Sequence, residues 1–208
     1  MIFFAWKSVI KTNLVILKFM GLWPRETKYR RNFYSLYAIL LTVMVASDNL
    51  FQTINLFLIH TNFSSLMGTV FVLCTNWCAS IKSFCFIYKV NLIKILLQDL
   101  DCEEFQPKND TQMNLSRSIL HLWKIVFYAM TSGVTATVLA LAVTPLLTGD
   151  LAQYELPFWA WYPYKTRTSP LFEIMYLYQV ICVFCIAIIS INIDLLNMAF
   201  SAIFYVTT

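Results

Sequence analysis

The chain has 208 residues, of which 59% are hydrophobic and only 12% are charged, and its formal net charge is +4. An ordinary soluble domain is about 45–50% apolar and about 25% charged, so this composition excludes a soluble enzyme and a disordered chain. The remaining class is an integral membrane protein, and no nucleic-acid partner is expected, because the positive charge is explained by membrane orientation.

The N-terminal segment, residues 1–32, is predicted to be a cytoplasmic amphipathic region. Three lysines interrupt any stretch that could serve as the core of a cleavable signal peptide: Lys7, Lys11 and Lys18. Apolar residues recur at helical spacing: Ile10, Leu14, Leu17 and Met20. Two interpretations stay open, since such a helix can lie on the membrane surface or pack on the cytoplasmic surface of the protein itself.

Residues 33–208 are predicted to form the transmembrane region. A hydrocarbon core about 30 Å thick needs roughly 20 apolar helical residues, and open strands cannot span it because their edge groups would stay unpaired. Four stretches are long enough: 33–59, 66–88, 119–147 and 171–206. The predicted fold class is therefore all-α, a polytopic membrane helix bundle.

The distribution of Lys and Arg predicts the orientation of this bundle. Seven of them precede the first span and four lie between the second and third spans, whereas the two remaining connections carry only Lys165 and Arg167. Because the side richer in basic residues faces the cytoplasm, the N-terminus is expected inside. A glycan on Asn109 or Asn114, which both begin glycosylation sequons, would overturn this orientation.

Asp48 and Lys82 are the charged side chains inside the first and second predicted spans, and they are functional candidates for that reason. They differ in depth by roughly 15 Å at helical rise, so no direct ion pair between them is expected. Lys82 can extend toward the cytoplasmic headgroups. For Asp48, which lies beside Asn49 and ahead of Gln52 in the sequence, two alternatives stay open: it faces other helices or a water-filled vestibule, or it only caps a polar network.

The last two spans carry further signals. Small and hydroxylated residues are concentrated in 130–137, where they either let helices approach closely or leave room for a small ligand. The fourth span is longer than the membrane requires, and its final portion, with Asn192, Asp194 and Asn197, is expected to project into the cytoplasm. An apolar helix in that position needs partners, which the chain is expected not to supply.

Nothing in the sequence predicts catalysis, a cofactor or a metal site. Five of the six cysteines lie in apolar spans, and the two histidines, His60 and His121, have no companion ligand at metal-binding spacing. Phosphate-binding, nucleotide-binding and hydrolase motifs are absent from the sequence. A membrane-embedded enzyme is accordingly disfavoured.

The stretch before the fourth span, LPFWAWYPYKTRTSPLFEIMYLYQVI, resembles the second extracellular loop and fourth helix of insect odorant receptors. The matching positions are Pro157, Trp161, Tyr162, Pro163, Ser169, Pro170, Tyr176 and Gln179. Gly21-Leu-Trp-Pro24, Lys82 and the segment LIKILLQDLD are similar to other parts of the family. Gustatory receptors, which are distant relatives, match the loop less well.

The resemblance implies a seven-helix subunit of a ligand-gated cation channel with an intracellular N-terminus. It implies a volatile odorant as ligand, a shared co-receptor as partner, and the plasma membrane of sensory dendrites as location. Family members are nearly twice as long, so the chain is expected to be the N-terminal part, with four of seven helices. It is expected to be truncated before the pore and not to conduct ions alone.

The resemblance also implies an odorant pocket among the second, third, fourth and sixth transmembrane helices, toward the outer face. Helical spacing on the outer halves of the spans then suggests nine candidate ligand-binding residues. These are Phe71, Thr75, Cys78, Ser132, Ala136, Thr137, Tyr176, Val180 and Phe184. Each of them can equally serve ordinary helix packing. The alternative functions are a gustatory-type chemoreceptor and a four-helix membrane transporter or scaffold protein.

Overall fold

The computed structural model describes residues 6–23, 28–58, 63–100, 102, 105–148, 154, 156–164 and 166–207. Five α-helices follow one another within them: α1 (Lys7–Phe19), α2 (Lys28–Leu58), α3 (Phe63–Asp99), α4 (Asp110–Thr148) and α5 (Leu171–Thr207). The helices α2 to α5 each contain a stretch long and apolar enough to cross a membrane. The prediction of an all-α membrane helix bundle is confirmed.

Two helices extend well beyond the apolar stretches that predict them. The second predicted span stops at residue 88, but α3 continues to Asp99. The third predicted span starts at residue 119, but α4 begins at Asp110. Charged residues mark where the apolar stretch ends, yet lysine, leucine and glutamine are good helix formers, so the helix itself continues.

The structure decides between the two interpretations of the N-terminal helix. The apolar face of α1 is buried against the rest of the chain, with Ile10 and Leu17 fully inaccessible. Asn13, on the same face, donates from Nδ2 to the backbone oxygen of Asn192 on α5 over 3.2 Å. The helix α1 therefore packs on the protein itself.

The final portion of α5 is covered by other parts of the chain, which corrects the expectation that its partners are missing. Leu195, Leu196, Ala199 and Ile203 are buried in the same apolar cluster as the inner face of α1. The helix α5 contacts each of the other four helices and is the central element of the fold. The hydropathy of single spans does not predict this contact, because the helix α1 that covers the end of α5 lies at the opposite end of the chain.

A tight turn joins α1 to the region before α2. Gly21 has a φ of +81°, and a Cβ at this position would lie 3.0 Å from the Cα of Ala38 on α2. Glycine is required here for both reasons, since other residues rarely adopt positive φ and would collide with α2. The turn holds α1 against the start of the membrane-spanning region.

Candidate ligand-binding site

A wide-open cavity of about 600 Å³ lies between α3, α4 and α5. This volume is within the range typical of pockets for small organic ligands. Its wall is largely apolar, with hydroxyl groups from Thr75 and Thr137 and an aromatic ring from Phe158 at the connection between α4 and α5. Both threonine hydroxyls donate to backbone oxygens of their own helices, so what they can offer a ligand is their oxygens as acceptors.

Small residues on α4 create much of this space. Ala129, Gly133 and Thr137 recur every fourth residue and share one wall of the cavity. A Cβ added to Gly133 would meet nothing within 4 Å. Of the two roles open to residues 130–137, these positions therefore leave room rather than bring helices together.

Three of the nine candidate residues lie together on the cavity wall: Phe71, Thr75 and Thr137. The other six do not line it. Cys78, Ser132 and Ala136 are exposed on α3 and α4, and Val180 and Phe184 are half-buried on α5. The hydroxyl of Tyr176 donates to the backbone oxygen of Ala142 and so ties α5 to α4.

The face of α5 that lines the cavity is rotated from the predicted face and lies closer to the C-terminal end of the helix. Val183, Ala187, Ser190 and Asp194 line the cavity, at spacings of three or four residues. The pattern of residues in α5 could not show this, because the helix is apolar on nearly every side. No periodic signal distinguishes the side of α5 that lines the cavity from the side that packs against other helices.

An ion pair lies at one end of this cavity. Lys82 Nζ on α3 is 2.7 Å from Oδ2 of Asp194, which itself lines the cavity. Both side chains are nearly half exposed in the chain as described. Lys82 thus has a partner inside the protein rather than only the headgroups, and the charge of Asp194 is compensated without a ligand.

Asp48 belongs to a buried polar network that links α2 to α3. Gln52 Nε2 donates to Asp48 Oδ2 over 2.8 Å, and Asn76 Nδ2 donates to Gln52 Oε1 over 3.2 Å. Asp48, Gln52 and Asn76 are all buried, and within the described part of the chain Asp48 Oδ1 has no hydrogen-bond partner. Asn76 also lines the cavity, so the polar network extends from Asp48 on α2 to the wall of the candidate site.

Gln179 fastens the connection between α4 and α5 over the bundle. This fully buried side chain accepts from the backbone N–H of Phe158 over 3.2 Å and donates to its carbonyl oxygen over 2.9 Å. Its Nε2 also donates to the hydroxyl of Tyr162 over 3.0 Å. Because Phe158 lines the cavity, the position of this cavity wall depends on Gln179.

Tyr162 is buried between aromatic neighbours in the same connection. Its ring centroid is 4.9 Å from that of Phe51 on α2 and 5.8 Å from that of Tyr164. Burial raises the pKa of the Tyr162 phenol, and the hydrogen bond from Gln179 only partly offsets this. The phenol therefore stays neutral at physiological pH and acts as a hydrogen-bond partner.

Both the sequence and the architecture are similar to those of known proteins. A family model described as 7tm Odorant receptor matches residues 62–207. Odorant receptor Or1 of Anopheles gambiae is 24% identical over 185 residues, which cover 88% of this chain and 44% of that protein. The olfactory receptor OR5 from Machilis hrabei shares the fold with a TM-score of 0.76 at 18% identity, over 97% of this chain and 55% of that one.

The same receptor in complex with eugenol matches with a TM-score of 0.75 at 19% identity, over 97% of this chain and 53% of that one. The chain thus spans about half the length of the relatives it matches. The family match extends from just before α3 to the end of α5 and so includes every helix that lines the cavity. The chain belongs to the 7tm odorant receptor family.

Proposed function

We propose that this chain is an odorant receptor subunit that binds a small volatile ligand in the cavity between α3, α4 and α5. The observation that carries the proposal is the cavity itself, which is largely apolar and about 600 Å³ in volume. The solved relative in complex with eugenol supports a ligand of this class, a small aromatic molecule with one hydroxyl group. The candidates Phe71, Thr75 and Thr137 would contact it directly.

Recognition in such a cavity rests mainly on burial and shape. Burial of apolar surface contributes about 25 cal/mol per Å², so a compact odorant gains most of its affinity without directional bonds. The oxygens of Thr75 and Thr137 can accept one hydrogen bond from a ligand hydroxyl, which favours alcohols and phenols over hydrocarbons. One methylene more or less changes affinity only modestly, so broad tuning is expected.

We infer that binding is transmitted through α5. This helix contributes a wall of the cavity and continues into the segment that packs against α1. A ligand that favours a different spacing of α4 and α5 would displace both ends of α5 together. In a complex with a co-receptor, such a displacement would gate a cation channel provided that the ligand binds the open state more tightly than the closed one.

We further propose that the subunit resides in the plasma membrane of sensory neuron dendrites with its N-terminus in the cytoplasm. The excess of basic residues around α1 and between α3 and α4 supports this orientation. Expression in cells that glycosylate membrane proteins tests it, because Asn109 and Asn114 would then face away from the glycosylation machinery. A glycan-dependent mass shift that disappears in Asn109→Gln or Asn114→Gln would refute the orientation.

Eugenol binding to the chain in lipid nanodiscs tests the cavity. Gly133→Leu fills open space on the cavity wall and should weaken binding by about tenfold or more, since the added side chain occupies the ligand's place. Gly68→Leu is the matched control, because Gly68 also has open space around it but does not line the cavity. Equal weakening by both substitutions, or by neither, would contradict the assignment.

A further inference from the structure

A second, smaller cavity lies on the opposite side of the contact between α3 and α5. Its volume is about 180 Å³, and it is bounded by α2, α3, α5 and the turn that follows α1. Ala79 and Ile186 line both this cavity and the larger one and so form the wall between them. The two spaces are therefore separate and face different sides of the bundle.

The small cavity offers hydrogen-bond acceptors to a ligand. Of the described residues that line it, none is charged. Thr42 and Ser83 donate their hydroxyl hydrogens to the backbone oxygens of Ala38 and Ala79, each over 2.8 Å. Trp77 donates from Nε1 to a threonine hydroxyl on α2 over 3.3 Å. These three donors are thus already used within the protein.

Asn49 has a side-chain oxygen that can still accept a hydrogen bond. The side chain lines the small cavity and is 2% exposed. Its Nδ2 donates to Ser80 Oγ over 2.8 Å, whereas its buried Oδ1 has no hydrogen-bond partner among the residues that the structure describes. A buried acceptor that stays unpaired destabilises a protein, and a ligand hydroxyl placed against it would remove that penalty.

The edge of the small cavity is open at the surface of the described part of the chain. Trp77, Phe84 and Ile87 line it and are 46%, 70% and 45% exposed. All three lie on α3 within a stretch that is long and apolar enough to cross a membrane. A molecule already dissolved in a bilayer around these residues can therefore enter the cavity without passing through water.

We propose that this cavity is a second ligand site, which takes a small uncharged apolar molecule with one hydroxyl group from the surrounding bilayer. The hydroxyl donates to Asn49 Oδ1, and the apolar part packs against Leu41, Val45 and Ile189. The site is independent of the odorant cavity, because the shared wall separates them. Its existence does not depend on the function proposed for the larger cavity.

Photolabelling of the full chain in nanodiscs tests the proposal. The probe is an octanol analogue with a diazirine in its chain, and its methyl ether, which lacks the donor, serves as the reference ligand at the same concentration in the bilayer. The alcohol should label peptides from α2 and α3 around this cavity about fivefold more than the ether does, as expected for one net hydrogen bond.

Three substitutions sharpen the test. Asn49→Leu should reduce labelling by the alcohol to the level of the ether, while unchanged labelling by the ether shows that the fold is retained. Ala46→Leu narrows the cavity away from Asn49 and should reduce labelling by both probes. Gly133→Leu, in the larger cavity, should leave the labelling of the small cavity unchanged for both the alcohol and the ether.

Equal labelling of the unsubstituted chain by alcohol and ether would overturn the proposal, because the groove would then hold acyl chains without using Asn49. Labelling of this cavity that survives Ala46→Leu would overturn it as well. So would loss of labelling in Gly133→Leu, since the probe would then occupy the odorant cavity.

Discussion

Replacement of Gln179 by leucine is expected to release the connection between α4 and α5 while the bundle below it stays folded. The substitution removes three hydrogen bonds, two to the backbone of Phe158 and one to the hydroxyl of Tyr162. At about 1 kcal/mol for each net hydrogen bond, the loss is about 3 kcal/mol. If the free energy of local opening falls by this amount, amide exchange in the connection becomes about 100-fold faster.

Hydrogen–deuterium exchange of the chain in nanodiscs measures this effect at residues 156–164. The backbone N–H of Trp161, which donates to the carbonyl oxygen of Phe51 over 3.1 Å, is a direct reporter in that segment. Tyr162→Phe is the matched control, because it removes only one of the three hydrogen bonds and should speed exchange by about fivefold. If Gln179→Leu and Tyr162→Phe had the same effect, Gln179 would not hold Phe158 in place.

Three further predictions follow from the packing and charges. Leu17→Ala, at a fully buried position on α1, should destabilise the folded chain by about 3 kcal/mol in thermal unfolding, and a change below about 1 kcal/mol would argue against packing of α1 on the protein. Lys82→Glu and Asp194→Lys should each lower the unfolding midpoint by roughly 3 °C, and the double substitution should restore most of it; additive losses would contradict the ion pair. Because burial raises the pKa of Tyr162 above 10.0, its neutral form stabilises the fold below pH 10.0, and this contribution is lost as the pH rises through the folded-state pKa. The absorbance difference between the unsubstituted chain and Tyr162→Phe should therefore titrate with a midpoint above pH 10.0, and a midpoint at or below that value would refute the burial argument.

The candidate site was only partly accessible from the sequence. Phe71, Thr75 and Thr137 line the cavity, whereas Cys78, Ser132 and Ala136, which the same helical spacing suggests on α3 and α4, do not. The α5 candidates Tyr176, Val180 and Phe184 do not line the cavity. Because α5 is apolar on nearly every side, the sequence pattern does not show which side of the helix faces the cavity. For these three candidates the ligand role has no support from the cavity geometry.

The loop motif that carries the family resemblance has a physical explanation in the structure. Tyr162 and Gln179 are seventeen residues apart in the chain and are joined by a buried hydrogen bond. The side chain of Gln179 also bonds the backbone of Phe158 at the cavity, so this member of the motif fixes one wall of the candidate site. A motif read as letters identifies the family, but the bond between its members is visible only in three dimensions.

Composition and the length of the apolar stretches determined the membrane class and the four spanning helices, because the bilayer imposes its thickness and its demand for paired backbone groups on any sequence. Only the tertiary structure decided that α1 covers the end of α5 and that Lys82 meets Asp194. Both contacts join segments more than 100 residues apart in the chain. Helical periodicity reports which residues share a face, but which faces meet depends on how the whole set of helices packs.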